Sequence, residues 1–129
     1  MTKRELYSVL RLTRQIEKLR EYLRGLRELS KTPGQGGRAN KGRGRGSRLE
    51  RYVTKIVEVE ERIRLLEYER ETAREELAGQ IVAEVTGPMR GLLIYRCVEC
   101  LSWSQVAHHM KQKRAAVYEQ FKNFSEGLA

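Results

Sequence analysis

The residues best equipped for chemistry lie in the last third of the chain, where Cys97 and Cys100 form a Cys-x-x-Cys and His108 and His109 follow. On paper this is a Cys₂His₂ zinc inventory. The expected geometry argues against it. Both cysteines fall on or at the end of a helical pattern rather than in a metal-binding turn, and adjacent histidines on a helix point about 100° apart. Thioredoxin-like redox chemistry would need a strand before the motif, whereas Leu92-Leu93-Ile94-Tyr95-Arg96 continues a helical pattern. Cys97 is therefore expected to act as a small buried hydrophobe, with no metal and no cofactor.

The acidic residues narrow the chemistry further. All 17 are Glu, so the Asp-based triad, phosphoryl-transfer and two-metal arrangements have no raw material. Gly-x-x-x-x-Gly-Lys-Ser/Thr does not occur, and no strand precedes the glycines. The expectation is a non-enzyme. Lys and Arg number 26, giving a formal charge of +9 over 129 residues, which favours a polyanionic partner, nucleic acid first. No signal peptide and no uninterrupted apolar run long enough for a bilayer is visible, so a soluble, intracellular chain without a membrane partner is expected.

These groups must be positioned by helices. Ser102 is a favourable N-cap, and Gln105 stands three residues on, where a capping box requires Glu or Gln. A helix starts there. Val106 and Met110 give it an apolar face, Ala107 is small where two helices cross, and Val117 anchors the next helix. The layout is that of a helix-turn-helix, although an ordinary packed helix pair has the same spacing. Trp103 fits either a DNA contact or the edge of the core; Phe121, Phe124 and Leu128 are expected to close the apolar face against Leu93, Val98 and Leu101.

Upstream, two blocks carry apolar residues at alternating spacings of three and four. Val9, Leu12, Ile16, Leu19, Leu23 and Leu26 form one seam; Leu49, Tyr52, Ile56, Val59, Ile63 and Leu66 form the other, with Ala73 and Leu77 continuing it past Arg70. Helices over about 3–29 and 48–86 are expected to pair as an antiparallel coiled-coil hairpin, making residues 1–86 one domain and 87–129 a second. Charge favours the pairing: residues 1–48 hold fourteen Lys or Arg against four Glu, and residues 49–86 hold six against ten. Two helices offer little core, so a homo-oligomer, preferably a dimer, or a packed third element is expected.

The connecting loop, residues 30–47, contains Pro33 and many glycines and should hold no stable helix. Arg38, Lys41, Arg43 and Arg45, followed by Arg48, suit a mobile basic arm that tracks a nucleic-acid backbone without reading sequence, or a solubilising linker.

Taken in order, Thr32-Pro33 with Gly36-Gly37, then Gly87-Pro88, then Leu93-Ile94-Tyr95-Arg96 through Leu101-Ser102-Trp103-Ser104-Gln105-Val106-Ala107-His108-His109-Met110, the chain resembles small phage and prophage proteins of the ArpU/RinA type. These are described as transcriptional regulators, and their C-terminal part is similar to the helix-turn-helix of sigma factor region 4. The resemblance implies an all-α fold, a phage or prophage origin, and residence in the host cytoplasm at the nucleoid. It also implies binding of double-stranded DNA through a recognition helix at about Arg114–Ser125.

Under that reading Ser102 approaches the phosphate backbone. Gln112, Lys113, Arg114, Ala116 and Tyr118 lie within reach of base edges, and Lys122 is better placed for phosphate. Where the family carries glycine this chain has Cys100 and Lys111, which implies left-handed backbone at both, at a cost of roughly 1 kcal/mol each. Three alternatives share these features: a small terminase subunit marking phage DNA for packaging, a factor binding host RNA polymerase, and a structural coiled-coil adaptor.

Overall fold

The computed structural model describes residues 1–31 and 43–129, with side chains for residues 1–31 and 48–129. Every regular element among the described residues is helical, so the chain is all-α. The elements are α1 (Lys3–Leu6), α2 (Ser8–Lys31), α3 (Arg43–Glu84), α4 (Pro88–Leu93), a wide π turn (Ile94–Val98), α5 (Trp103–Met110) and α6 (Arg114–Glu126). Among the described residues no helix is long and apolar enough to cross a membrane.

The long helices depart from the sequence expectation at their ends. The first is interrupted at Tyr7, whose φ of −91° and ψ of 1° close α1, and it continues to Lys31 rather than 29. The second begins at Arg43, not 48, and ends at Glu84, not 86. Gly44 and Gly46 are therefore helical, although each costs roughly 1 kcal/mol against Ala. The costly step in helix formation is nucleation; a helix of 42 residues extends by propagation, and Arg43, Arg45 and Arg48 are good helix formers. Of the expected basic loop, Arg38 and Lys41 lie outside the described residues, and Arg43, Arg45 and Arg48 belong to α3.

Two compact units emerge, and they do not divide at residue 86. One is Arg14–Tyr68; the other joins Met1–Thr13 to Glu69–Ala129. Within the first, Ile16, Leu23 and Leu26 of α2 and Val59, Ile63 and Leu66 of α3 are buried. Arg20 pairs with Glu67 and Arg27 with Glu60, the latter at 2.6 Å, so residue numbers rise along α2 as they fall along α3. Both pairs are solvent-exposed and contribute about 0–1 kcal/mol each; the buried seam supplies the stability. The same register sets Lys31 near Ile56, which leaves Leu49 past the end of α2. Leu49 is accordingly 50% exposed rather than part of the seam.

In the second unit one apolar cluster gathers Leu6, Val9 and Leu10, then Leu77, Ile81 and Val85 of α3 and its exit, and Leu92, Leu93, Cys97, Val98, Val106, Ala107, Val117 and Phe121. The ends of the long helices thus bury their apolar residues with the C-terminal helices, the physical reason for the division. Polar contacts hold the cluster's rim. Thr2 caps α1 in a capping box with Glu5. The Glu5 carboxyl is held below its ordinary value by the hydrogen bond from the Gln80 side-chain amide at 2.9 Å and by the Thr2 backbone N–H.

The turn after α3 follows from Gly87 and Pro88. Gly87 has φ +71°, open to glycine at little cost, and Pro88 occupies the first turn of α4, where no backbone N–H is needed. Arg90 then closes the end of α3, its Nε donating to the Val85 carbonyl at 2.8 Å and Nη2 to that of Val82 at 2.9 Å.

Candidate nucleic-acid interface

The candidate surface is built by α5, the turn Lys111–Lys113 and α6. Ser102 and Gln105 form the capping box that their spacing predicts: Ser102 Oγ accepts from Gln105 N at 3.2 Å, and Gln105 Oε1 accepts from Ser102 N at 2.9 Å. This reciprocal bonding has a consequence for Ser102 as a phosphate contact. The cap consumes its own N–H and that of Gln105, so Trp103 and Ser104 carry the N–H groups left for an anion at this helix end.

α5 ends in a left-handed residue. Lys111 has φ +55° and ψ +43°, with its N–H bonded to the His108 carbonyl at 3.2 Å and the Gln112 N–H to that of Ala107 at 3.0 Å. These two bonds make a Schellman motif, which satisfies carbonyls that a helix end leaves open. Cys100 is the other non-glycine residue with positive φ, at +57°. It ends the π turn, in which Glu99 N bonds to Ile94 O at 2.9 Å and Leu101 N reaches back to Tyr95 O at 3.0 Å. Both left-handed positions implied by the resemblance are thus present.

Val117, Phe121 and Ser125 face inward from α6, and Phe124 and Leu128, like Leu101, are partly buried and pack against the cluster that contains Leu93 and Val98. The side chains named for DNA contact are all on the outside: Gln112, Lys113, Arg114, Ala116, Tyr118 and Lys122 are exposed, as is Ser102. No side chain caps α6, whose first turn therefore keeps open N–H groups beside Lys113 and Arg114. Gln112 is held by a 2.8 Å hydrogen bond from Gln120 Nε2. Glu119 and Glu126 are also exposed on α6, so positive charge is concentrated at its start and mixed beyond.

Trp103 takes the core-edge position of its two readings. Its ring meets Tyr118 edge-on at 5.3 Å and Phe121 at 5.1 Å, and the Arg96 guanidinium lies over it at 4.5 Å from the centroid. Arg96 Nη1 also donates to the Leu101 carbonyl at 2.8 Å. Neither Arg96 nor Gln120 was signalled by sequence, because each meets its partner across a reversal of the chain that periodicity does not register.

Of the basic arm, only Arg48 has a described side chain. It is exposed, with its guanidinium 5.8 Å from the centre of the Tyr52 ring. The cysteine and histidine residues are placed separately. Cys97 is fully buried and burial pushes its thiol up to about 12, while Cys100 Sγ lies 3.5 Å from Thr13 Oγ1. His109 stacks on Tyr95 at 4.7 Å. Among the described residues no group of three or more His, Cys, Asp or Glu could hold a metal ion.

No protein-family model, no curated protein and no solved structure matches the chain.

Proposed function

We propose that this chain is a non-enzymatic, DNA-binding transcriptional regulator of the phage or prophage ArpU/RinA type. In this reading α5, the Lys111–Lys113 turn and α6 form a helix-turn-helix like that of sigma factor region 4, and α2 with α3 forms an antiparallel coiled-coil hairpin for self-association. The observation that carries it is the uncapped start of α6, where Lys113 and Arg114 stand exposed directly after the left-handed turn. A helix N-terminus with open N–H groups and two cations suits phosphate and the mouth of the major groove.

The roles follow from position. Lys113 and Arg114 meet phosphate or a guanine edge, Gln112, Ala116 and Tyr118 border the groove, and Lys122 and the Ser102 end of α5 meet the backbone. A second reading, contact with host RNA polymerase, is favoured by Glu119 and Glu126 on the same exposed helix, since carboxylates there repel phosphate.

Replacing Lys113 and Arg114 together with Ala tests the first reading. DNA affinity should fall, and the slope of log K against log salt should flatten by roughly 0.9 for each phosphate no longer neutralised. If Arg114 reads guanine, its own replacement relaxes preference at one base position by about 1–3 kcal/mol. Unchanged affinity and slope on cognate and scrambled duplexes would exclude a DNA-contacting α6 and leave the polymerase reading.

A further inference from the structure

Between α2 and α3, within the Arg14–Tyr68 unit, runs a groove of about 510 Å³. Its floor is apolar, made by buried Leu23 and Ile63. The α2 wall carries Arg20, Arg24, Arg27 and Lys31, a cationic stripe whose spacings of four, three and four keep it on one flank of the helix. From Arg20 to Lys31 the stripe extends about 16 Å. The α3 wall carries Glu60, Arg64 and Glu67.

The two walls are only partly complementary. Arg20 is paired with Glu67 and Arg27 with Glu60. The same register sets Arg24 level with Ile63, so the charged residue across the groove from it is Arg64, another cation. Lys31 comes level with Ile56, where α3 supplies no carboxylate. No ion pair among the described residues involves Arg24, Lys31 or Arg64. With Glu28 counted, the lining holds five cations against three carboxylates. Farther along α3, toward the chain reversal, Arg48, Arg51 and Lys55 stand against Glu50 alone. Cations facing each other over an apolar floor repel, and the low-dielectric floor strengthens their pull on an anion placed between them.

We infer that this groove is a second seat for DNA, in which Arg24, Lys31 and Arg64 neutralise phosphates of the backbone without reading sequence. The inference rests on the DNA-binding reading above and adds a contact on the hairpin, outside α6. The chemistry of the three side chains selects phosphate: two are guanidinium groups, whose planar fork matches a phosphate's oxygens, and the third is a point charge. The length of the groove selects a polyanion. Arg24 and Lys31 stand about 10 Å apart along α2, whereas one DNA strand carries a charge every 3.4 Å or so of its axis, so successive phosphates of one strand reach both.

Salt-titrated binding of the full chain to a random-sequence duplex tests this. Arg24→Gln, Lys31→Gln and Arg64→Gln combined should weaken binding and flatten the slope of log K against log salt by roughly 2–3, at about 0.9 for each phosphate no longer neutralised. Helical circular dichroism and melting temperature should not fall, because Gln is as good a helix former as Lys or Arg and the repulsion across the groove is gone. Arg14→Gln, Lys18→Gln and Arg51→Gln combined remove the same charge from residues that do not line the groove, and should leave the slope close to that of the wild type. A wild type that binds no duplex would overturn the DNA-binding reading and the groove together. A slope that falls with the Lys113 and Arg114 replacements but not with the groove variant, or that falls equally with the charge-matched control, would overturn the groove alone. So would a rise of melting temperature in inorganic phosphate that the groove variant loses while binding duplex as the wild type does, which would mark a seat for a small anion instead.

Discussion

Lys111 offers a test of the turn between α5 and α6 in which the sign of the effect carries the information. Its φ of +55° and ψ of +43° lie in the left-handed region, which costs a residue with a Cβ roughly 1–2 kcal/mol. Lys111 is exposed, so its replacement sacrifices little packing. Lys111→Gly removes the strain but adds freedom to the unfolded chain, which offsets roughly 0.5–1 kcal/mol. The net is a gain of about 0.5–1 kcal/mol. For a chain of 129 residues this raises Tm by roughly 2–4 °C. Lys111→Ala keeps the Cβ and should change little.

The comparison therefore rests on Gly against Ala, measured as denaturant midpoints at constant slope. In a left-handed position Gly is the more stable variant; in a helical one it is the less stable by roughly 1 kcal/mol. Ala above Gly would refute the Schellman turn and with it the placement of α6. Cys100→Gly gives a contrasting case at φ +57°. Cys100 is half-buried against the apolar cluster, and the packing its side chain supplies cancels about 1 kcal/mol of relief, so its midpoint should barely move.

Two further outcomes follow from side chains around the C-terminal helices. Arg96→Ala removes a cation from the face of the only tryptophan and a donor from the Leu101 carbonyl, which should cost about 2 kcal/mol and alter Trp103 fluorescence; an unchanged spectrum would exclude the stacked arrangement. Cys97 should resist a thiol reagent at pH 8, because burial holds its thiol protonated up to about 12, while half-buried Cys100 reacts first; equal rates at both in the native protein would refute that burial.

The sequence was most legible where structure is local. The capping box is contained in Ser102 through Gln105, and nothing outside those residues is needed to form it. Apolar spacing likewise located the buried stripe of α6 and the central part of the α2–α3 seam. The left-handed geometry at Cys100 and Lys111 was accessible only through resemblance, because neither residue type favours it on its own. Legibility failed where a distant or cooperative term decides. Gly44 and Gly46 read as breakers in isolation, yet α3 propagates through them to Arg43. Leu49 fits the seam by spacing, yet α2 ends before reaching it. The π turn at Ile94–Val98 widens one helical turn without changing which residue types precede it.

The candidate interface was legible residue by residue but not as an electrostatic surface. Sequence placed Lys113, Arg114, Ala116, Tyr118 and Lys122 on one helix; burial of Val117, Phe121 and Ser125 turns that helix outward and brings Glu119 and Glu126 to the same solvent-facing side. The cations and the open N–H groups coincide only in the first turn. Attraction for an anion is therefore strongest at the tip of α6 and is opposed by carboxylates farther along it. A helix of this polarity suits approach to DNA through its N-terminal end, with Lys122 the one cation beyond the first turn, and it makes Lys113 and Arg114 the pair on which the DNA-binding reading depends.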